Sequence, residues 1–519
     1  MTSCLSRGVG IVLCTVMRRE VGGAAAVVFI ASFCTLVIEL VAGRILAPYV
    51  GVSLYTWTSI IGVVLAGISV GAWVGGTLAD RYAATRLLPL LVLLASASSL
   101  AIVPLASLPG STTPALPDSL MLRVLLLALV IFFLPSCILS TISPVAIKIA
   151  LRDLGETGHI VGRIYAVSTL GSILGTFATG FFLIAHFGTR AILVGMALIL
   201  AICAVAIAAV YRHRALLVAA IVPAVLAVAG ARFGFLRLPF ADSSQYATET
   251  NYYTVRVEER TRIDGSGKLQ TLILDQLIHS VNDIDHPCYL AYGYLRIFDE
   301  VLRARAGDGR PVDLLFLGGG GYTLPRCAEN ALPNATIDVV EIDPAVTAVA
   351  YRFLGLSSRT RIRTINSDAR WYLLRSDRKY DVIFSDAFND LSIPYHLTTR
   401  EFLRLQKSHL APGGVLAANV IDNVPAGDFL PSYLRTVKEV FGVANTVVFA
   451  DRENYSRGAQ STLVIVAGAP PQIQAMRVPG ADVNEAFRRG RWTQLTDDYA
   501  PVDNLLAPLF AERARYQRR

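Results

Sequence analysis

Charged residues are scarce in this sequence. Asp, Glu, Lys and Arg make up 17% of its 519 residues, whereas a soluble protein normally carries about a quarter. Hydrophobic residues account for 54%, and the mean hydropathy is +0.52. The shortage lies before residue 231, and charges return at an ordinary frequency after it. The composition therefore excludes a single soluble domain and places the main domain boundary near residue 231.

Closely spaced cysteine pairs are also absent. No C-x-x-C pair occurs, and three of the seven cysteines fall inside apolar segments. This distribution excludes a disulfide framework and a zinc site, so we predict isolated thiols and no metal ion. The seven residues are Cys4, Cys14, Cys34, Cys137, Cys203, Cys288 and Cys327.

A basic stripe interleaved with aromatic residues is missing as well. The net charge is +8, but many basic residues lie in short loops between apolar segments, where the positive-inside rule explains them. We therefore expect no nucleic-acid partner.

Long apolar runs dominate residues 1–231, which we predict to be a polytopic α-helical membrane domain of about seven spans. Basic residues before the first span and after the second, fourth and sixth indicate a cytoplasmic amino terminus. The segment from Gly71 to Arg86 resembles a loop of major-facilitator transporters, although seven spans make at most half of that fold. The candidate spans are 24–43, 57–77, 87–107, 122–142, 165–185, 191–210 and 215–230.

The second half shows two patterns. Short alternating segments between 245 and 282 predict a small β-strand domain, over 240–285. From residue 312 buried strands alternate with helical segments, which predicts a parallel sheet with helices on both faces. We therefore expect an α/β methyltransferase-like (Rossmann-like) domain over 286–519.

Glycine and acidic residues follow successive strands of this predicted sheet. Gly318 to Gly321 end the first strand, Glu341 ends the second, Asp368 follows the third and Asp386 ends the fourth. Ligands of such sheets bind at the carboxyl ends of the strands, and an acid about 20 residues after the glycines suits a ribose. The pattern predicts an adenosyl-containing ligand; the alternative is that the acids cap helices.

Two common nucleotide motifs do not fit. The G-x-G-x-x-G spacing fails because Thr323 stands where the third small residue is needed, and no Gly-Lys-Ser/Thr follows the glycines. The order of residues suits proteins that bind S-adenosylmethionine and its relatives.

Several of these segments resemble the spermidine synthase (polyamine aminopropyltransferase) family. They are "LILDQLIHS", "LGGGGYTLPR", "VVEID", "NSDARWYL" and "DVIFSDAF". The whole chain, with its apolar half, resembles fused transporter-like/spermidine synthase membrane proteins. The resemblance implies transfer of an aminopropyl group from decarboxylated S-adenosylmethionine, a co-substrate, to an amine such as putrescine. It implies no permanently bound cofactor.

The resemblance also implies roles for individual residues. Asp386 matches the catalytic aspartate, Glu341 the ribose-binding acid, and Asp368 with Ala369 the region near the adenine. Gly318, Gly319 and Gly320 match the donor-binding glycines. His279 stands where the family often has a donor-binding glutamine, and Tyr289 matches an active-site tyrosine on the acceptor side.

Departures from the family concern the cationic ends of donor and acceptor. Gly321 replaces an aspartate that contacts the donor's free amine, and Asn389 replaces a second acceptor-side aspartate. Our candidates for the missing charge are Asp390, or Asp497 and Asp498 near the carboxyl terminus. The adenosyl end of the site is therefore better supported than spermidine production.

Three functions stay open: aminopropyl transfer, transfer of a methyl or aminocarboxypropyl group from ordinary S-adenosylmethionine, and a transporter or sensor that binds a nucleoside or polyamine without turnover. Seven spans would export the catalytic half, yet its donor is made in the cytosol. We therefore predict a multi-pass protein of the cell (inner) membrane with a cytoplasmic catalytic half. The lipid bilayer and a small amine are the expected partners, and a homodimer is one option for the oligomeric state.

Overall fold

The computed structural model divides into two compact units, Met1–Pro239 and Phe240–Arg519. Each unit has its own core and is described by itself. The structure describes residues 3–51, 53–106, 120–151, 154–233, 244–262, 265, 267–275, 277–307, 309–387, 393–453, 455–456, 458–489 and 492–516.

The described part of the first unit consists of helices and the turns between them. Among the described residues, six helices are long and apolar enough to cross a membrane, which confirms a helical domain of the predicted kind. The seventh candidate, 215–230, lies in a helix whose apolar part is shorter, Arg214–Pro223. The helices are α1 (Ser3–Val50), α2 (Leu54–Arg81), α3 (Ala84–Leu105), α4 (Leu120–Ala128, a π-helical turn Leu129–Phe133, and Leu134–Ala150), α5 (Thr157–Ala178, a π-helical turn Thr179–Leu183, and Ile184–His186), α6 (Thr189–Val210) and α7 (Arg214–Phe233).

Small residues at a spacing of four bring α2 and α4 into backbone contact. A Cβ atom on Gly71 would stand 2.1 Å from the carbonyl oxygen of Cys137, and one on Gly75 would stand 2.7 Å from the Cα of Thr141. No larger side chain fits between the two backbones. Close approach through small residues is how helices associate where no hydrophobic effect drives them together.

The second unit begins with a four-stranded antiparallel sheet in the order β1-β2-β3-β4. Its two central strands are buried over much of their length, namely the first four residues of β2 and the last six residues of β3. The strands are β1 (Tyr246–Glu249), β2 (Thr254–Thr261), β3 (Lys268–Leu274) and β4 (Leu277–Asp283).

An eight-stranded sheet with helices between its strands follows. Its order is β12-β10-β11-β9-β8-β5-β6-β7, with β5 to β9 parallel and the remaining strands antiparallel. The elements are α8 (Gly293–Ala306), β5 (Val312–Leu317), α9 (Thr323–Ala331), β6 (Ala335–Glu341), α10 (Pro344–Phe353), β7 (Arg363–Asn366), α11 (Ala369–Arg375), β8 (Tyr380–Ser385), α12 (Arg400–Ser408), β9 (Leu410–Asn423), α13 (Phe429–Phe441), β10 (Thr446–Ala450), β11 (Gln460–Gly468), β12 (Met476–Arg477), α14 (Gly480–Arg488) and α15 (Val502–Tyr516).

This topology confirms the predicted methyltransferase-like α/β fold. The chain runs outward from β5 through β6 to β7, then returns to place β8 on the other side of β5. The order of strands therefore reverses between β5 and β8, and ligands of open α/β sheets bind at such a switch point.

Two cysteines correct the prediction of isolated thiols. Cys288, before α8, and Cys327, in α9, form a disulfide with a Cα–Cα distance of 4.5 Å. Their 39-residue separation contained no signal, because only the folding of the segment before α8 onto α9 brings them together. Cys34, Cys137 and Cys203 are free thiols, as predicted.

Candidate active site

The glycine run after β5 allows two strand ends to approach closely. Gly318 has a φ of +101°, and a Cβ atom there would stand 2.3 Å from the carbonyl oxygen of Asp386. A side chain is excluded at this position by both its conformation and its neighbour. The ends of β5 and β8 are thus held together at the switch point.

Glu341, at the end of β6, is fixed by backbone donors. Its Oε2 accepts hydrogen bonds from the amides of Gly319 (2.8 Å) and Gly320 (3.3 Å), and its Oε1 accepts one from Asp343 (2.9 Å). Burial raises the pKa of the Glu341 carboxyl, although these three N–H groups act in the opposite direction. The carboxylate is oriented before any ligand arrives, and it retains unused lone pairs.

Asp368, after β7, combines two roles. Its Oδ1 accepts from the amide of Trp371 (2.9 Å) and so caps α11, as the alternative interpretation predicted. Its Oδ2 lies 3.0 Å from Nε2 of His396, and this hydrogen bond lowers the pKa of Asp368. The same residue also lines a hollow, so capping and ligand binding do not exclude each other here.

Asp386 follows β8 and is held by two side chains. Its Oδ1 accepts from Nδ2 of Asn419, on β9, at 2.8 Å, and the hydroxyl of Tyr294, on α8, donates to the same carboxyl group. Burial nevertheless raises the pKa of Asp386. A carboxylate with a raised pKa is a stronger base than an exposed one, which suits proton transfer from an amine.

Two hollows meet at Asp386. The first hollow, of about 100 Å³, brings Glu341, Asp368 and Asp386 around one space, together with Ala369 and His396. The second hollow, of about 240 Å³, lies along the glycine run and the first turn of α9. Both are lined by His279, Gly318, Gly320 and Asp386.

The lining of the second hollow is polar but carries little charge. Asp386 is the one carboxylate among the lining residues that the structure describes. The other polar lining residues are His279, Ser280, Tyr292, Tyr294, Thr323, Asn419, Gln460 and Thr462.

His279, on β4, stands between the two hollows as a neutral ring. Burial lowers its pKa to about 4, so the imidazole is uncharged at pH 7. Within the described residues its Nε2 is buried without a hydrogen-bond partner. An orphaned buried nitrogen between two hollows is consistent with contact to a ligand.

Several acceptor-side residues are placed differently from the prediction. Tyr289 lies outside both hollows, with its ring 4.7 Å from the guanidinium of Arg262, in a separate hollow. Asp498 is exposed and lines neither hollow. Asn389 and Asp390 lie outside the described residues.

Tyr294 and Asn419 are site residues that sequence reasoning missed. Asn419 had a signal, because it is a polar residue inside the apolar strand "VLAANVI". Tyr294 had none, since only the start of α8 at Gly293 determines which nearby tyrosine faces the hollow. Tyr292 and Tyr294 line the second hollow, whereas Tyr289 does not.

Comparison with known proteins agrees with this geometry. Residues 307–464 match the family model described as "Spermine/spermidine synthase domain". A polyamine aminopropyltransferase of Vibrio vulnificus is 38% identical over 136 residues, which cover 26% of this chain and 44% of that protein. The human eEF1A lysine and N-terminal methyltransferase is 28% identical over 196 residues, 34% of this chain and 28% of that protein.

The crystal structure of a probable spermidine synthase from Corynebacterium glutamicum aligns with a TM-score of 0.42 at 21% identity, covering 49% of this chain and 97% of that one. The chain spans less than half the length of the two curated relatives described above. The similarity to the spermidine synthase family therefore extends over the matched residues 307–464.

Proposed function

We propose that the second unit is a transferase of the spermidine synthase type, which moves the three-carbon chain of an S-adenosyl sulfonium donor to an amine. The supporting observation is the position of Asp386 between the two hollows. The family's own reaction, aminopropyl transfer from decarboxylated S-adenosylmethionine to an amine such as putrescine, is the reference for testing the chain.

The first hollow suits the adenosine part of the donor. The oriented carboxylate of Glu341 would accept the two ribose hydroxyls, as acids at the end of the second strand do in related sheets. Asp368 and Ala369 border the same space and would meet the adenine. Because Gly318 and Gly320 line both hollows, the sulfonium would lie beside the glycine run with its chain directed into the second hollow.

The second hollow would hold the amine next to Asp386. The amine lone pair attacks the chain carbon bonded to sulfur, and the electron pair of the broken S–C bond returns to sulfur as the neutral thioether of methylthioadenosine. Asp386 accepts the proton that the amine loses. Asn419 and Tyr294 keep the carboxylate in position, so catalysis is mainly orientation together with proton transfer.

Methyl transfer from S-adenosylmethionine is the second candidate, because the aligned relatives include methyltransferases. A binding protein without turnover, such as a sensor or transporter, is the alternative from another class. Incubating the purified chain with each donor and putrescine, and identifying the nucleoside product by mass spectrometry, separates them. Methylthioadenosine supports the proposal, adenosylhomocysteine indicates methyl transfer, and binding without a product indicates a sensor or transporter.

We propose further that the chain is a multi-pass protein of the cell membrane with its catalytic half in the cytoplasm. An even number of spans returns the chain to the side of its amino terminus, and six helices are long enough. The disulfide between Cys288 and Cys327 opposes this assignment, because the cytosol keeps thiols reduced. A fluorescent or alkaline-phosphatase reporter after Arg519 decides the matter: cytoplasmic fluorescence is expected, and phosphatase activity would overturn it.

A further inference from the structure

Ser280, on β4, is a buried hydroxyl that the reaction described above does not use. The residue is 2% exposed and lines the second hollow. Its Oγ makes no hydrogen bond to any described residue. A buried hydroxyl facing a cavity without a partner loses free energy unless a ligand or water satisfies it.

Ser280 also determines what can stand at position 321. A Cβ atom on Gly321 would lie 1.9 Å from Oγ of Ser280, which no side chain tolerates. The resemblance described above implies an aspartate at this position, where its carboxylate would meet the free amine of a decarboxylated donor. Here a neutral hydroxyl fills that space, and the terminal ammonium of a decarboxylated donor would find no carboxylate there.

The first turn of α9 presents hydrogen-bond donors to the same space. The helix begins at Thr323, and the preceding Tyr322 makes no side-chain cap. Thr323 and Leu324 line the second hollow. The first amide N–H groups of a helix have no partner within it and form its positive end. In α9 these are the amides of Thr323 and Leu324, because Pro325 has no N–H, and the two amides are suited to an anion.

Asn282 holds this turn in place from β4. Its Nδ2 donates to the carbonyl oxygen of Gly321 at 2.6 Å, and its Oδ1 accepts from the hydroxyl of Thr323 at 2.5 Å. The hydroxyl proton of Thr323 is thus already used, which leaves the amides of Thr323 and Leu324 and the hydroxyl of Ser280 as donors. They form a preorganised set for a carboxylate next to the donor chain.

We propose that Ser280 and the first turn of α9 bind the carboxylate of an amino-acid tail, so that the donor is S-adenosylmethionine itself. The inference rests on the proposed function. The group transferred is then 3-amino-3-carboxypropyl: the amine lone pair attacks its terminal CH₂ next to sulfur, the S–C electron pair goes to sulfur, methylthioadenosine leaves, and Asp386 takes the amine proton.

Calorimetry on the full chain in detergent tests the proposal with three ligands: S-adenosylmethionine, its decarboxylated form, and methylthioadenosine. Since a hydrogen bond to a charged group contributes about 1.5–3 kcal/mol, S-adenosylmethionine should bind at least about 10-fold more tightly than the decarboxylated donor. The Ser280→Ala variant should lose about 10-fold in affinity for S-adenosylmethionine and keep its affinity for methylthioadenosine. Equal or tighter binding of the decarboxylated donor by the native chain overturns the proposal.

Thr271→Val is the matched control. Thr271 is another fully buried hydroxyl without a partner among the described residues, on neighbouring β3, but it lines a different hollow with Tyr289. Its removal should leave all three affinities unchanged. A Thr271→Val effect equal to that of Ser280→Ala would show a general change of the sheet and overturn the assignment.

A double variant, Ser280→Gly with Gly321→Asp, tests the same idea by gain of function. It opens the space that Ser280 fills and supplies a carboxylate, so the preference should shift at least about 10-fold toward the decarboxylated donor. An unchanged preference, with methylthioadenosine still bound, contradicts the proposal. Adenosylhomocysteine as the product would refute the proposed three-carbon transfer. The carboxylate site is tested independently of that outcome, by the binding measurements.

Discussion

Replacing Asp386 by asparagine tests the proposed chemistry most directly. The two side chains have the same shape, and the Oδ1 of an asparagine can still accept from Nδ2 of Asn419, at the position where 2.8 Å is observed now. The variant should therefore fold and bind methylthioadenosine within about 3-fold of the native chain. What it loses is the charge and the basicity of the carboxylate.

The expected loss in rate follows from the role assigned to the carboxylate. General-base catalysis contributes about 10²- to 10⁴-fold, so kcat for three-carbon transfer should fall by at least about 100-fold, which corresponds to about 2.7 kcal/mol in the activation barrier. The assay is methylthioadenosine release followed by mass spectrometry, with donor and amine both saturating.

The pH profile gives a second measurement on the same variant. Because burial raises the pKa of Asp386, the basic form is lost at a higher pH than for an ordinary carboxyl. The rate of the native chain should therefore decline on the acid side from that raised pKa downward. Asp386→Asn has no group to protonate there, and its residual rate should lack this decline.

Asp498→Asn is the matched control, since Asp498 is exposed and lines neither hollow. Its rate should equal that of the native chain. The reasoning is refuted if Asp386→Asn retains the native rate, or if both variants lose activity equally.

Three further perturbations have defined outcomes. Glu341→Gln should raise the donor KM about 10- to 100-fold and leave kcat within about 3-fold. The reason is that the single oxygen of glutamine cannot accept hydrogen bonds from all three converging amides. Initial-rate kinetics measures both constants, and a loss in kcat alone would show that Glu341 takes part in the chemistry. His279→Gln should keep kcat/KM within about 3-fold, because the native ring is already neutral, whereas His279→Leu should lose about 10-fold; equal losses in both would contradict a hydrogen-bonding role. Cys288→Ser should lower the unfolding free energy of the second unit by about 4 kcal/mol, which is the loop entropy for a 39-residue separation. Thermal melts in an oxidising buffer measure this change. If the melting temperature of the native chain does not respond to a reductant, the disulfide does not form.

Much of the second unit could be predicted because strand ends carry chemistry in a regular order. The alternation of strands and helices from residue 312 onward predicted a parallel sheet, and topology then places the carboxyl ends of its strands along one edge. Glu341, Asp368 and Asp386 lie at those ends and surround one hollow. This inference needed local patterns and a general rule of folds, and no long-range detail.

The parts that could not be predicted depend on contacts between distant segments. The helix α8 begins only at Gly293, after an irregular segment that includes Tyr289. That late start places Tyr292 and Tyr294 in the second hollow instead of Tyr289. The proposed role of Ser280 could not be predicted from the sequence either, because it depends on how closely β4 approaches Gly321.

The π-helical turns in α4 and α5 had no sequence signal either. Each inserts one extra residue into a helix turn, at Leu129–Phe133 and Thr179–Leu183. Such turns depend on local packing and not on composition, so the number of apolar residues in a segment does not predict them.

Asn282 gives the small sheet an importance that its size would not indicate. Asn282, on β4, forms hydrogen bonds with both Gly321 and Thr323. The end of the glycine run is therefore held by a strand that lies before residue 307, where the family match begins. A recombinant fragment starting at the match would carry Glu341, Asp368 and Asp386 but would lack both hydrogen bonds from Asn282. A fragment designed to retain the site therefore has to include both sheets of the second unit.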